Sequence, residues 1–412
     1  MIRQTTDTKK AVAPVIGFVL ILAILFLAAA QYQANVVPAE ERSAEIDHFS
    51  DITEDMSGLR SSLIQTSSSG QTQTQELNMG VSYGILGLTQ PPRPGTLTYI
   101  NSSEIKIMNA ENNREASNFW RGDVNRTYDT GFLQYRIDYN RLSSYADIYI
   151  EHGMMYRDTA IGSNEQVDFI EESEQQIIRD RNINLYTIDS SIDTTRMGST
   201  TVEMRPTSAP MNSVSISDVN EDNPLTIRLP TRLSEDDWER MLENELTDNG
   251  GYIEELTVDE FENEEGDEDT FLELQLETGE TYNLQMSKVN LLTQDQQSTT
   301  SITEPEYIAV DRQSANLRER SILQLNAEVR DKYNNGVIGT PVRVEAQNTN
   351  QECIGDISPL DENVEDTNCI ESGGNLQPGL DISSSDGSVA FEYESPEIES
   401  DVDVIFIYEM LD

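Results

Sequence analysis

Three observations in the sequence predict a mainly β protein led by a long N-terminal transmembrane and stem α-helix. Behind that helix they predict a β-rich central domain with a small α/β lobe, then a C-terminal β-sandwich. The first observation is an uncharged apolar run over residues 11–30. The second is a stripe of apolar residues at helical spacing from Ile46 to Leu63. The third is period-two apolar alternation recurring from Glu76 to the end of the chain.

The 412 residues carry 27 Lys+Arg against 75 Asp+Glu, a formal net charge of −48. At about 100–200 residues per domain, this length predicts two to four folded units. A hydrophobic share of 36% with so much charge raises the question of disorder, but 16 Tyr, 10 Phe and many alternating Val, Ile and Leu supply several small cores. The charge excludes nucleic acid as a leading partner, because no basic patch exists to release counterions from phosphate. Beyond the first ten residues the only lysines are Lys106, Lys288 and Lys332. Such a surface repels itself in ordinary salt. Multimolar salt screens it, the Debye length falling to about 3 Å at 1 M. The composition therefore predicts a halophilic source, and each Glu/Asp run reads first as solvated surface.

Residues 11–30 read AVAPVIGFVLILAILFLAAA. As a helix rising about 1.5 Å per residue, this run spans roughly 30 Å, the thickness of a bilayer core. Arg3, Lys9 and Lys10 precede it and Glu40 and Glu41 follow. The positive-inside rule then keeps the N-terminus cytoplasmic and sends the rest of the chain outside. Ala28-Ala29-Ala30 also reads as a signal-peptide cleavage site, so removal of the whole segment stays open beside a plain uncleaved anchor. The string Lys9-Lys10-Ala11-Val12-Ala13-Pro14-Val15-Ile16-Gly17 resembles the start of archaeal type IV pilin-like precursors. The resemblance implies that a prepilin peptidase-like enzyme removes a charged leader, residues 1–11, and leaves the helix over 12–37 in place. Lys10, Ala11 and Val12 would be the processing residues, and other pilin-like subunits join membrane lipid among the implied partners. Position five of that mature chain is Ile16 rather than the Glu of many bacterial pilins, so the bacterial assembly rule does not carry over.

After Pro38, Ile46, Phe49, Ile52, Met56, Leu59 and Leu63 recur at spacings of 3, 3, 4, 3 and 4. This is one face of an amphipathic stem helix over 38–68. Glu41, Glu45, Asp51, Glu54 and Asp55 are expected on the opposite, outward face. The stripe has two candidate partners: the chain's own globular domain, or the same stripe in neighbouring subunits.

From residue 75 to 293 short alternating stretches such as Leu97–Ile100, Leu133–Ile137, Ala146–Ile150 and Leu185–Ile188 read as an irregular β-rich ectodomain. One helix interrupts it: Ser234-Glu235-Asp236-Asp237 fits a capping box, with Trp238, Met241 and Leu242 as the apolar face. Phe271–Leu276 and Tyr282–Met286, joined by Glu277–Thr281, are expected to pair as a hairpin. Residues 294–305 read as a Gln/Ser/Thr linker with nothing to bury. Over 306–412 the short strands suggest a sandwich of two antiparallel sheets. Ala327–Val337, Pro341–Val344 and Ser385–Tyr393 resemble a bacterial Ig-like module of surface adhesins, which implies an Ig-like β-sandwich acting as a spacer. More broadly, YGILGLTQPPRPGTLTY, GFLQYRIDYNRLSSYADIYIEHGMMYR and LPTRLSEDDWERML resemble haloarchaeal surface proteins, which implies location and layout only.

The chain has two cysteines, Cys353 and Cys369. In an exported chain a lone close pair reads as a disulfide, closing a loop of about 16 residues and contributing about 3 kcal/mol. Asn101-Ser102-Ser103 and Asn125-Arg126-Thr127 are glycosylation sequons, making Asn101 and Asn125 candidate acceptors of an extracellular glycoprotein. Gly80-Val81-Ser82-Tyr83-Gly84 matches a nucleophile elbow. The elbow needs a following helix and a later His; Pro91-Pro92 follows instead, and the only downstream His is His152. Asp218–Asp222 and Asn263–Asp269 are acidic loops without the spacing of a calcium-binding EF-hand. No catalytic residue, metal site or cofactor is predicted. The expectation is a membrane-anchored, non-enzymatic cell-surface protein: a minor pilin, adhesion or envelope component. The alternatives are a major structural pilin, a serine hydrolase using Ser82, and a calcium- or carbohydrate-binding receptor.

Overall fold

Pro38 lacks the N–H that a helix interior needs, and it stands where one long helix divides. Helix α1 covers Val12–Asn35 and helix α2 covers Val37–Ser69. Only Val36 separates them, and the helical ladder runs through it: Val36 N donates to Tyr32 O and Glu40 N to Val36 O, both at 2.9 Å. At the start of α2 the missing N–H costs little, because first-turn donors have no helical acceptor. Gly70 ends α2 in the left-handed region, φ 66°, with its N–H on Thr66 O. This computed structural model describes residues 12–83, 90–142, 147–161, 164–169, 175, 177–209, 213–262, 268–294, 296, 303–318, 320–359, 379–384, 386–395 and 402–411.

The two helices face different surroundings. On α1 the apolar side chains are open: Phe18 is 63% exposed, Phe26 72% and Leu27 68%. On α2, Ile52, Met56, Leu59 and Leu63 are fully buried. At about 1.5–3 kcal/mol per buried apolar side chain, docking this stripe contributes on the order of 10 kcal/mol. The stripe is thus satisfied by the chain's own body, the first of its two candidate partners. Ile46 is a correction: it is 43% exposed, and the stripe begins at Phe49.

The body consists of two sheets. One runs in the order Gln73–Asn78, Ser199–Ser208, Thr281–Thr293, Asn182–Ser190, Ile178–Arg179, with Val214–Ser217 also on Thr281–Thr293. The other runs Ile253–Glu262, Glu268–Leu276, Thr226–Pro230, Gly95–Met108, Arg126–Ile137, Asp147–Glu151, Met154–Ile161, Asn164–Phe169, with Asp193–Arg196 on Gly95–Met108. Under α2, Leu77, Val202 and Leu291 of the first sheet meet Leu97, Leu133 and Ile150 of the second in one core. Helix α3, Glu235–Leu242, has the expected capping box, Ser234 and Asp237 bonding each other's backbone, and buries Trp238 and Leu242.

The expected hairpin at 271–286 does not form. Glu268–Leu276 pairs with Thr226–Pro230 and Ile253–Glu262, whereas Thr281–Thr293 belongs to the other sheet. There it pairs in parallel with Asn182–Ser190. Residues 277–280 carry the chain from one layer to the other. Gly279 supplies a φ of 77°, and its N–H donates to Asp218 Oδ1 at 2.8 Å. Leu276 and Tyr282, both fully buried, each enter a different sheet.

The C-terminal residues form two four-stranded sheets. One is Tyr307–Val310, Ile322–Arg330, Ser388–Glu394, Asp356–Pro359; the other is Ser314–Leu317, Val402–Met410, Pro341–Asn348, Gly379–Ile382. Leu325, Val329 and Phe391 from the first share a core with Val342, Val344 and Phe406 from the second. The loop 331–335 of this sandwich enters the body. Tyr333 is 1% exposed and belongs, with Tyr307, to the body's second core beside Trp120 and Tyr128.

Candidate membrane-proximal site

Helix α1 is the one described segment long and apolar enough to cross a membrane, and none of its apolar window is buried. It is compatible with a single-pass anchor. Lys10 and Ala11 lie outside the described residues, and Val12 opens α1.

Directly after α1, two carboxylates turn inward. Glu41 is 2% exposed and Glu45 fully buried, which corrects the expectation that both face solvent. The reason lies in loops that come 40 to 100 residues later. Glu45 accepts the backbone N–H groups of Asn140, Arg141 and Leu142 at 2.8–3.1 Å and also the Tyr83 hydroxyl. Glu41 accepts Arg141 Nε at 2.7 Å and the Gln90 amide at 2.8 Å. Arg93 adds two bonds to Asn140 Oδ1, at 2.9 and 2.7 Å. A buried carboxylate is tolerated only when its lone pairs are filled, and here backbone amides fill them. The outcome is a clamp holding residues 81–83, 90–93 and 139–142 around the first three turns of α2.

One turn further along, His48 is nearly buried. Its Nε2 meets Asn78 O at 3.0 Å and its Nδ1 meets the Tyr139 hydroxyl at 2.8 Å. A carbonyl only accepts, so Nε2 carries the proton and Nδ1 accepts from Tyr139. Burial pushes the His48 pKa down, against the Asn78 bond and the charges of Asp51 and Asp55. Burial likewise pushes the Tyr83 hydroxyl up to about 12, with the Glu45 bond adding to it.

The structure separates the other sequence-flagged positions. Ser82 is exposed, and residues 84–89 after it lie outside the described residues. His152 sits in the turn between Asp147–Glu151 and Met154–Ile161, and its Nε2 donates to Pro230 O at 2.7 Å. Among the described residues no hydrogen bond joins Ser82 to His152. In Asp218–Asp222, Asn220 Oδ1 accepts Asp222 N and Asn223 Nδ2, both at 3.0 Å, and Asp218 Oδ1 accepts Gly279 N. Residues 263–267 of the second acidic loop lie outside the described residues. Among the described residues no three His, Cys, Asp or Glu side chains converge on a metal position. Asn101 is exposed on Gly95–Met108, at a register shift, and Asn125 is exposed just before Arg126–Ile137. Cys353 is disulfide-bonded. The other cysteine of the chain, Cys369, lies outside the described residues.

A cavity of about 530 Å³ lies between body and sandwich, bordered by Phe119, Arg126, Glu306 and Tyr307. Arg126 lies 3.5 Å from the Phe119 ring centroid and Tyr307 stacks on that ring at 4.4 Å. Both faces of Phe119 are therefore covered, leaving no face of that ring for a sugar.

The sequence pattern missed Glu41, Glu45 and His48. A signal was present in hindsight: Glu41, Glu45 and His48 lie at spacings of four and three, in line with Ile52. Comparison of the chain with protein-family models, with curated proteins and with solved structures gives no match.

Proposed function

We propose that this is a membrane-anchored, non-enzymatic cell-surface protein, held by α1 and displaying the β-rich body and the sandwich on the outer side. One observation carries the reading. The apolar side chains of α1 are open along the helix, while Ile52, Met56, Leu59 and Leu63 of α2, on the same helical rod, are fully buried. A folded chain leaves an apolar helix bare only where something other than water covers it. Arg3, Lys9 and Lys10 ahead of the run support an outward body. The pilin-like string around Val12 supports leader removal with retention of the helix.

The burial of the α2 stripe favours a free-standing surface component over a filament subunit, because the body takes up Phe49 to Leu63 and leaves only Ile46 of that stripe exposed. The sandwich then works as an Ig-like element that extends the body, and the acidic surface serves a high-salt exterior. Flotation of the full chain with lipid vesicles in high salt tests the reading. Co-flotation that is lost when residues 1–35 are deleted supports it, and flotation unaffected by that deletion contradicts it.

A further inference from the structure

We infer that the base of the body rests directly on the lipid headgroup layer, so that the membrane binds the folded domain as well as α1. The inference rests on the anchor reading above. The apolar run ends at Ala30, and Val37 is already only 3% exposed. Seven helical residues rise about 10 Å, and the headgroup layer of one leaflet is roughly 5–8 Å deep. Because the helical ladder is unbroken through Val36, no linker lifts the body away. The predicted stem over 38–68 is thus no stalk: it is the central helix of the body, and the body begins where the bilayer core ends.

The side chains at that level suit a headgroup surface. The clamp turns Glu41 and Glu45 inward, while Arg42, Pro91, Pro92 and Arg141 are exposed. Arg42 is exposed beside Glu40 and Asp47, while Arg141 is held by the buried Glu41, on a chain whose net charge is −48. At this end Arg42, Arg93 and Arg141 offset three of the four carboxylates Glu40, Glu41, Glu45 and Asp47, where most of the surface would be repelled by anionic lipid. Pro91 and Pro92 bring no N–H donors that would need hydration.

The test uses the full chain in phosphatidylglycerol vesicles doped with a nickel-chelating lipid, in molar salt. A nitroxide is attached to Pro92→Cys, to Arg42→Cys and, as the distant control, to Gln71→Cys just beyond the C-terminus of α2. Collision with headgroup nickel several-fold higher at positions 92 and 42 than at 71 supports the inference. Equal, low collision at all three positions in vesicles that co-float with the protein overturns it while leaving the anchor intact. Absence of co-flotation overturns the anchor reading and this inference with it.

Discussion

The indole N–H of Trp120 donates to Oδ1 of Asn334 at 2.9 Å, joining residues 214 positions apart. The Tyr307 hydroxyl donates to the same oxygen at 2.9 Å. Asn335 Nδ2 reaches Ser208 Oγ at 2.7 Å and Met286 O at 2.9 Å, and the Tyr128 hydroxyl reaches Lys332 O at 3.0 Å. The loop of the sandwich is therefore a plug in the body, held by hydrogen bonds inside a shared apolar core. Asn334→Ala leaves two donors buried without an acceptor, at about 1–3 kcal/mol each. It also places a Cβ without a polar group at a φ of 69°. Denaturant unfolding of the full chain is expected to lose about 2–5 kcal/mol and to resolve a separate transition for the sandwich. A loss under about 0.5 kcal/mol would show that the plug does not couple the two parts.

At the membrane end, Glu45→Gln replaces a four-fold acceptor with a group whose NH2 confronts backbone donors. The expected cost is about 2–4 kcal/mol. Hydrogen exchange reads it locally, with faster exchange of the Asn140, Arg141 and Leu142 amides. Unchanged exchange at those three amides contradicts the clamp.

His48 gives the body a pH dependence whose sign follows from its depressed pKa. The folded state binds this proton less readily than the unfolded chain. The stabilisation is complete above the ordinary value of 6.5 and is lost as pH falls through the depressed one. The stability difference between the native chain and His48→Gln should therefore shrink between about pH 7.5 and pH 5. A difference that stays constant or grows over that interval rules this out.

Reduction of the disulfide, or Cys353→Ser, opens a loop of about 16 residues and should cost about 3 kcal/mol in the sandwich. Peptide mapping without reductant should recover Cys353 linked to Cys369. Recovery of two free thiols from the native protein contradicts the link.

Local chemistry was readable in the sequence, and long-range choices were not. The stripe from Phe49 to Leu63, the Ser234–Asp237 capping box and the alternating strands are set by neighbours within a few positions, so pattern finds them. Glu41 and Glu45 look like surface acids because their acceptors are filled by Tyr83, Gln90 and Asn140–Leu142, far along the chain. The strand pair at 271–286 misleads for the same reason: Leu276 and Tyr282 each satisfy a different sheet, and proximity in sequence says nothing about layers. The Asp331–Asn335 loop lies within the stretch that resembles an Ig-like module, and nothing local in it points to Trp120, Tyr128 and Tyr307, which the fold brings around it.

Protease shaving of intact cells, followed by mass spectrometry of the fragment left in the membrane, asks most directly whether α1 holds the body outside. The account predicts that external protease releases peptides from Gln71 onward while a fragment containing Val15–Leu27 stays with the lipid. A full-length chain that survives in sealed cells and fractionates with the cytosol after lysis would contradict it.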